Sequence, residues 1–160
     1  EDALRILRAI RFSAQLGFSI DEATKAAMSE RAESLRQVSA ERYRVEIVKL
    51  LISDHPERIR EGCVLGITRV IMPEYDAIVG VAQHTPNHIY DVEEHTLIAV
   101  KNIAAEPALR LTMLFHDFGK PVVKKTDGDR DIFYRHPEVS AKMCREIMRR
   151  LKFANHTLET

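Results

Sequence analysis

Histidine and aspartate side by side, at His116-Asp117, are the residues of this chain best suited to hold a metal ion. They end the stretch Ala108-Leu-Arg-Leu-Thr-Met-Leu-Phe-His116-Asp117-Phe-Gly119-Lys120-Pro121, where Leu109, Leu111, Met113, Leu114 and Phe115 form an apolar run. Leu, Met and Ala favour helix, and Gly with Pro close behind marks its end. The spacing therefore predicts a mostly buried helix that delivers an imidazole and a carboxylate at its last turn. Neighbouring positions differ by about 100° around a helix, so one ion can use both only if it sits off the helix end, between them. For such a pair in isolation the plainer reading is a hydrogen-bonded core histidine beside a capping aspartate. Two flanking segments shift the balance. Asp91-Val-Glu-Glu-His95-Thr-Leu opens a helical run upstream, and Phe133-Tyr-Arg-His136-Pro-Glu-Val-Ser140-Ala141 opens another downstream. His95, His116, Asp117 and His136 can then converge at one end of a bundle. Mixed imidazole and carboxylate ligands suit Mn, Fe, Co, Ni or Zn better than a pure oxygen site would.

The elements that must position these residues read as helices throughout. In residues 1–16, Ala3, Ile6, Leu7, Ile10 and Ala14 share one arc of a helical wheel. Arg5, Arg8 and Arg11 fall on a different side, and Gly17 is placed as a C-cap. Ser19-x-x-Glu22 predicts a capping box for a second helix, and Ser39 a cap for a third running to about Ser53, with Tyr43, Ile47, Leu50 and Leu51 as its apolar face. Pro56 suits the first turn of a short helix ending near Gly62 or Gly66, followed by two apolar pieces, Ile67–Met72 and Glu74–Ala82.

The loop His84-Thr-Pro-Asn-His88 is the expected boundary between two helical units. Its histidines have the i, i+4 spacing of zinc ligands, yet Pro86 between them argues for loop histidines. Helices are expected at about 91–105, 108–118 and 137–152, with an extended hairpin over 122–134 around Asp127-Gly128. Asp127, Asp129 and Asp131 do not make a calcium loop, because Ile132 stands where the turn needs glycine. The basic run Lys142, Arg145, Arg149, Arg150 and Lys152 reads as a solvated face. Asn155 is placed to open one more helix.

Composition narrows the class without choosing a function. At 160 residues, 45% hydrophobic and 30% charged, the chain can bury a real core in one domain or two small ones. No apolar run approaches the ~18 residues that span a bilayer. Lys plus Arg balances Asp plus Glu at 24 each, so net charge is silent on nucleic acid. Cys63 and Cys144 stand far apart, which fits reduced cytosolic thiols and excludes a cysteine-rich zinc site.

The opening Glu1-Asp2-Ala-Leu-Arg5-Ile-Leu-Arg8-Ala-Ile-Arg11-Phe12, with Gly17-Phe18 after it, resembles the neck of bacterial tRNA nucleotidyltransferases, the CCA-adding enzymes, and of the related poly(A) polymerases. Ser39-Ala-Glu41-Arg42-x-x-x-Glu46 resembles the next neck motif. His88-Ile-Tyr-Asp91-Val-Glu-Glu-His95-Thr, His116-Asp117-x-Gly119-Lys120 and His136-x-x-x-Ser140-Ala141 resemble the HD superfamily of metal-dependent phosphohydrolases, a domain that follows the neck in many members.

The resemblance implies an all-α fold of two packed helical units. Residues 1–83 would be a neck that binds nucleotide and RNA, and 84–160 an HD domain truncated at its C-terminus. In the family the E-D-x-x-R motif is a protein template for incoming CTP or ATP, a role that carries over to Asp2 and Arg5, with Arg8 supporting that face or touching phosphate. A carboxylate accepts from an exocyclic amine, while a guanidinium offers paired donors to ring nitrogen and carbonyl. The HD half implies a divalent ion (Mg, Mn, Ni, Co or Fe) at His95, His116, Asp117 and His136, with His116, Asp117 and Lys120 in catalytic roles.

The resemblance also implies tRNA, ATP and CTP as partners in the cytoplasm, without membrane; homo-oligomerisation stays open. Nucleotide addition needs Mg ions held in a separate head with Gly-Ser and Asp-x-Asp motifs, which this sequence lacks, so the chain by itself is not expected to add nucleotides. The superfamily's later Asp ligand is missing too, since no Asp follows Asp131. These motifs do not separate CCA addition from poly(A) addition. An HD phosphohydrolase with a plain helical extension would leave the Glu1–Phe12 match unexplained.

Overall fold

Residues with one apolar stripe and a glycine stop make the first helix, α1 (Leu4–Leu16), in the computed structural model, which describes residues 2–84 and 89–154. Gly17 closes it in the left-handed conformation (φ 70°), its N–H donating to the Ser13 carbonyl at 2.9 Å. Ile6, Leu7, Ile10 and Ala14 are buried as the wheel predicts. Arg11 departs from expectation: it is only 9% exposed, whereas Arg5 and Arg8 face solvent. Six residues are about 600° of helix, so Arg11 does not share Arg5's line, and it swings inward to a buried carboxylate. Its Nε lies 2.6 Å from Glu46 Oε2.

Helix α2 (Glu22–Glu30) is capped by Asp21, which accepts from the Thr24 N–H at 3.0 Å, and not by the Ser19-x-x-Glu22 box. An ionised carboxylate at a helix start gains from the macrodipole as well as from the hydrogen bond, so it outcompetes a serine two residues earlier. A 3-10 turn (Ala32–Gln37) leads to α3 (Ala40–Leu51). Ser39 occupies its N-cap position, but its side chain makes no capping bond. The Tyr43 hydroxyl donates to the Leu35 carbonyl, tying α3 to that turn. Short helices follow: α4 (Ile59–Val64), introduced by a 3-10 turn at Pro56–Arg58, then α5 (Ile67–Ile71) and α6 (Pro73–Ile78).

Past the loop come α7 (Val92–Asn102), α8 (Pro107–Phe115) and a single turn, α9 (Lys120–Val123). Asp91 caps α7 by accepting from the Glu94 N–H at 2.8 Å. The Gly119–Pro121 stop is therefore only a bend. Pro121 lies in the first turn of α9, where its missing N–H costs nothing. The predicted hairpin is present as β1 (Lys125–Asp127) and β2 (Arg130–Ile132), antiparallel with Lys125 opposite Ile132 and Gly128 at the turn. It is the sole sheet among the described residues. Helix α10 (His136–Arg150) ends the described fold. His88 and Asn155 lie outside the described residues.

The fold is all-α apart from that hairpin. Helix α1 packs on α3, α3 also meets α8, and α8 is flanked by α7 and α10. One apolar core runs from Leu4 to Leu151, so both halves bury side chains into it. Polar ties cross between them. Buried Arg110 donates to the Leu51 carbonyl at 3.1 Å, the Tyr75 hydroxyl donates to Glu93 at 2.7 Å, and Arg150 grips Glu74 with two 2.7 Å bonds. Among the described residues no helix is long and apolar enough to cross a membrane.

Candidate metal centre

The last turn of α8 is pinned by aromatics. Phe115 and Phe118 are buried and meet edge to face, with centroids 5.3 Å apart. The two residues between them, His116 and Asp117, are thereby held at the helix end. Asp117 is 1% exposed, and the groups of three elements gather on its carboxylate. His116 Nε2 is 3.2 Å and His95 Nε2 3.6 Å from Oδ2, while His136 Nε2 is 3.5 Å from Oδ1. Lys120 Nζ lies 2.7 Å from Oδ2.

The ligand atoms of His95, His116 and Asp117 all lie within 4.8 Å of one another, a spread that one divalent ion can bridge. His136 stands outside that trio, on the carboxylate's other oxygen.

The imidazoles are oriented from behind. His116 Nδ1–H donates to the Met113 carbonyl at 2.6 Å, and His136 Nδ1–H donates to the Phe133 carbonyl at 2.8 Å. Each bond keeps the proton on Nδ1 and turns Nε2 toward Asp117, the arrangement of a ligating histidine. Burial works against charge on His116, yet the hydrogen bond and attraction from Asp117 hold its pKa above the ordinary value. Burial likewise opposes ionisation of Asp117, and His116 and Lys120 overcome it, holding that carboxyl down at about 2.

Buried Asp117 Oδ2 makes no well-directed hydrogen bond even with Lys120 so near, so acceptor capacity remains on the atom shared by the trio. The residues present thus fit a divalent ion: one anionic oxygen short of directed donors, and, in His116 and His136, imidazoles whose far nitrogens are already committed.

Close approach of the backbone completes the centre. A Cβ on Gly119 would come within 2.7 Å of both the His136 carbonyl and the Ser140 N, and its N–H donates to Ser140 Oγ at 2.9 Å. Only glycine lets the α8 end pass this near to α10. Lys120, 4% exposed, donates to Gln83 Oε1 at 2.6 Å and stands over the Phe133 ring. Gln83, whose Nε2 donates to the Tyr90 carbonyl, gave no sequence signal, because it sits in an aperiodic loop.

Asp131 is not a ligand here. Its buried carboxylate accepts from the His84 N–H, Thr126 Oγ1 and Lys124, bonds that hold its pKa far below the usual range. His84 is accordingly a hairpin clasp through its own 2.9 Å contact to Asp131.

The nucleotide candidates lie on the opposite half, at the start of α1. Exposed Asp2 accepts from Arg42 on α3 and from the Leu4 N–H, and the Arg42 bond is the main reason its carboxyl sits below the usual range. Arg8 and Arg11 both lie over the half-exposed Phe12 ring, 5.7 and 4.0 Å from its centroid.

Comparison with known proteins joins the halves. Residues 17–79 match the family described as "Probable RNA and SrmB- binding site of polymerase A", and residues 85–159 match the HD domain. A CC-adding tRNA nucleotidyltransferase of Thermus thermophilus is 33% identical over 99% of this chain and 39% of its own length. A Multifunctional CCA protein of Pseudomonas fluorescens is 33% identical over 95% and 39%, and one of Actinobacillus pleuropneumoniae 35% identical over 95% and 40%. The chain spans about two fifths of the length of these curated relatives. It belongs to the family of CCA-adding tRNA nucleotidyltransferases and poly(A) polymerases, within which it covers the RNA-binding region and the HD domain.

Proposed function

We propose that this chain is the neck and HD portion of a cytoplasmic CCA-adding enzyme that acts on tRNA with CTP and ATP, divided near residue 83 into a nucleotide- and RNA-binding unit and a metal-dependent phosphohydrolase. The relatives support tRNA as substrate, although their names divide between CC and CCA addition. The observation that carries the hydrolase reading is the convergence of imidazole nitrogens from α7, α8 and the start of α10 on one buried carboxylate.

In this reading His95, His116 and Asp117 hold a divalent ion (Mg, Mn, Ni, Co or Fe), with His136 as the outer member. A bound ion would supply Lewis acidity toward a phosphoester. Lys120 keeps Asp117 ionised and adds positive charge beside the oxygens on which negative charge develops. Gln83 aims Lys120, and Met113 and Phe133 fix the histidine tautomers.

On the neck, Asp2 and Arg5 select the base and Arg8 supports that face. The Arg42 bond holds the Asp2 carboxylate ionised and in place to accept from an exocyclic amine.

Metal content together with phosphodiesterase and phosphatase turnover tests the HD half. Stoichiometric metal and turnover, both lost in His116→Ala/Asp117→Ala, are expected; a parent chain with neither overturns the reading. For the neck, Arg5→Ala in the longer enzyme should change the ratio of C to A incorporated, and an unchanged ratio would remove the template role.

A further inference from the structure

An open groove of about 520 Å³ lies between α9, the hairpin and the outer face of α10, and the metal centre uses none of its side chains. Its rim carries Lys124, Lys125, Arg135 and Lys142 against a single carboxylate, Glu138. In a chain of zero net charge this is a marked local excess. The cations are not equivalent. Lys124 is spent on Asp131 at 3.0 Å, and Arg135 faces Glu138 at 3.5 Å. Lys125 and Lys142 have no carboxylate partner among the described residues.

Tyr134 stands beside them, 78% exposed with its ring uncovered, and Ile132 and Val122 add exposed apolar surface. Arg135 takes the left-handed conformation (φ 63°), costly for a non-glycine residue. It stands between Tyr134, turned to solvent, and His136, turned toward Asp117.

Unpaired ammonium groups beside an exposed aromatic ring are the elements of single-strand binding: cations follow the phosphates and the ring stacks a base. The apolar area is too small to hold a lipid surface, and an acidic peptide would leave the ring without a role.

We propose that this groove binds single-stranded RNA, with Lys125 and Lys142 on successive phosphates and Tyr134 stacked on a base. The inference goes beyond the phosphohydrolase reading, and its test needs no turnover. Fluorescence anisotropy of the 160-residue chain with a labelled eight-residue oligocytidylate, in chelator and across a salt series, reads it directly. Tyr134→Ala should weaken binding about tenfold while Tyr134→Phe matches the parent, because stacking needs the ring and not the hydroxyl. Lys125→Ala/Lys142→Ala should also flatten the salt dependence, by about 0.7 in log–log slope per lost phosphate contact.

Parent-like binding by Tyr134→Ala, or an unchanged slope in the lysine variant, would overturn the proposal. So would polyglutamate competing as well as RNA with no effect of Tyr134→Ala, which makes the rim a plain electrostatic surface. Failure of the hydrolase reading shows separately, as absent turnover of p-nitrophenyl phosphate in the parent chain.

Discussion

Each half of the molecule buries a carboxylate beside a cation, and the two do so differently. In the neck, Arg11 and Glu46 meet at 2.6 Å, and Arg11 also donates to Gln15 at 2.8 Å. That pair is closed in a simpler sense: one cation meets one carboxylate and joins α1 to α3. In the HD half, Asp117 has one tight neighbour, Lys120, and imidazoles standing back at 3.2 to 3.6 Å. The His95 and His136 distances exceed a good hydrogen bond, so several groups surround this carboxylate without closing on it. A closed pair is a strut, whereas an open cluster around a buried charge is suited to take up a further charge. Ionised groups are costly to bury, so the open arrangement invites a ligand that the closed one has no use for.

The sharpest way to break the contrast is Asp117→Ala. Metal affinity should fall by on the order of 100-fold or more, as loss of a direct ligand exceeds the usual effect of losing its supports. The metal-free protein should also lose about 3 kcal/mol, because buried Lys120 loses its counter-charge and keeps only Gln83 and the Phe133 ring. Calorimetric titration with nickel and urea unfolding check the two effects. Glu46→Ala should cost a similar ~3 kcal/mol in unfolding yet leave nickel affinity within twofold, since it breaks a strut alone. A large drop in affinity there would mean that the halves are not separable.

Gly119→Ala comes next, with about tenfold weaker metal binding and ~1–3 kcal/mol of lost stability from overpacking against backbone atoms that cannot turn aside. The same titration detects it.

Acid should then sharpen the picture. Asp117 raises the His116 pKa, so the metal-free site holds that proton to higher pH than a free imidazole would. Ligation must expel the proton. Affinity should therefore fall as pH drops through the raised value, by about tenfold per unit for one proton released, and level off above it. A flat profile from pH 8 to 5 would remove His116 from the ligand set. The smallest effect belongs to Arg42→Ala: its partner Asp2 is exposed, and water replaces the bond, so the melting temperature should not move measurably.

Much of this arrangement was legible in the chain. The apolar run before His116, with Gly119 and Pro121 after it, places the pair at a helix end because burial and backbone freedom act locally. The hairpin around Asp127-Gly128 and the cap at Gly17 follow from the same local chemistry. What was not legible depends on partners distant in sequence. Arg11 reads as surface by type and turns inward only because Glu46 meets it. Asp21 displaces the Ser19 box through an electrostatic advantage that a motif does not weigh. Gln83 has no periodicity to announce it and matters through one amide oxygen on Lys120. His136 could be assigned to the cluster, but not its place on the far oxygen of Asp117.

The seam at Gly119 has a consequence for biogenesis. His95, His116 and Asp117 belong to helices adjacent in the chain, so that trio can form as soon as α8 has left the ribosome and folded against α7. His136 and Ser140 are made later, beyond the hairpin, and join only when α10 docks on the bare backbone of Gly119. Assembly of the cluster is then expected in two stages, the three-residue group first and its closure by α10 second. Hydrogen exchange at the Gly119 amide times the second stage, because that N–H gains its Ser140 partner only on docking. Protection of that amide before α10 is complete would show that the order is otherwise.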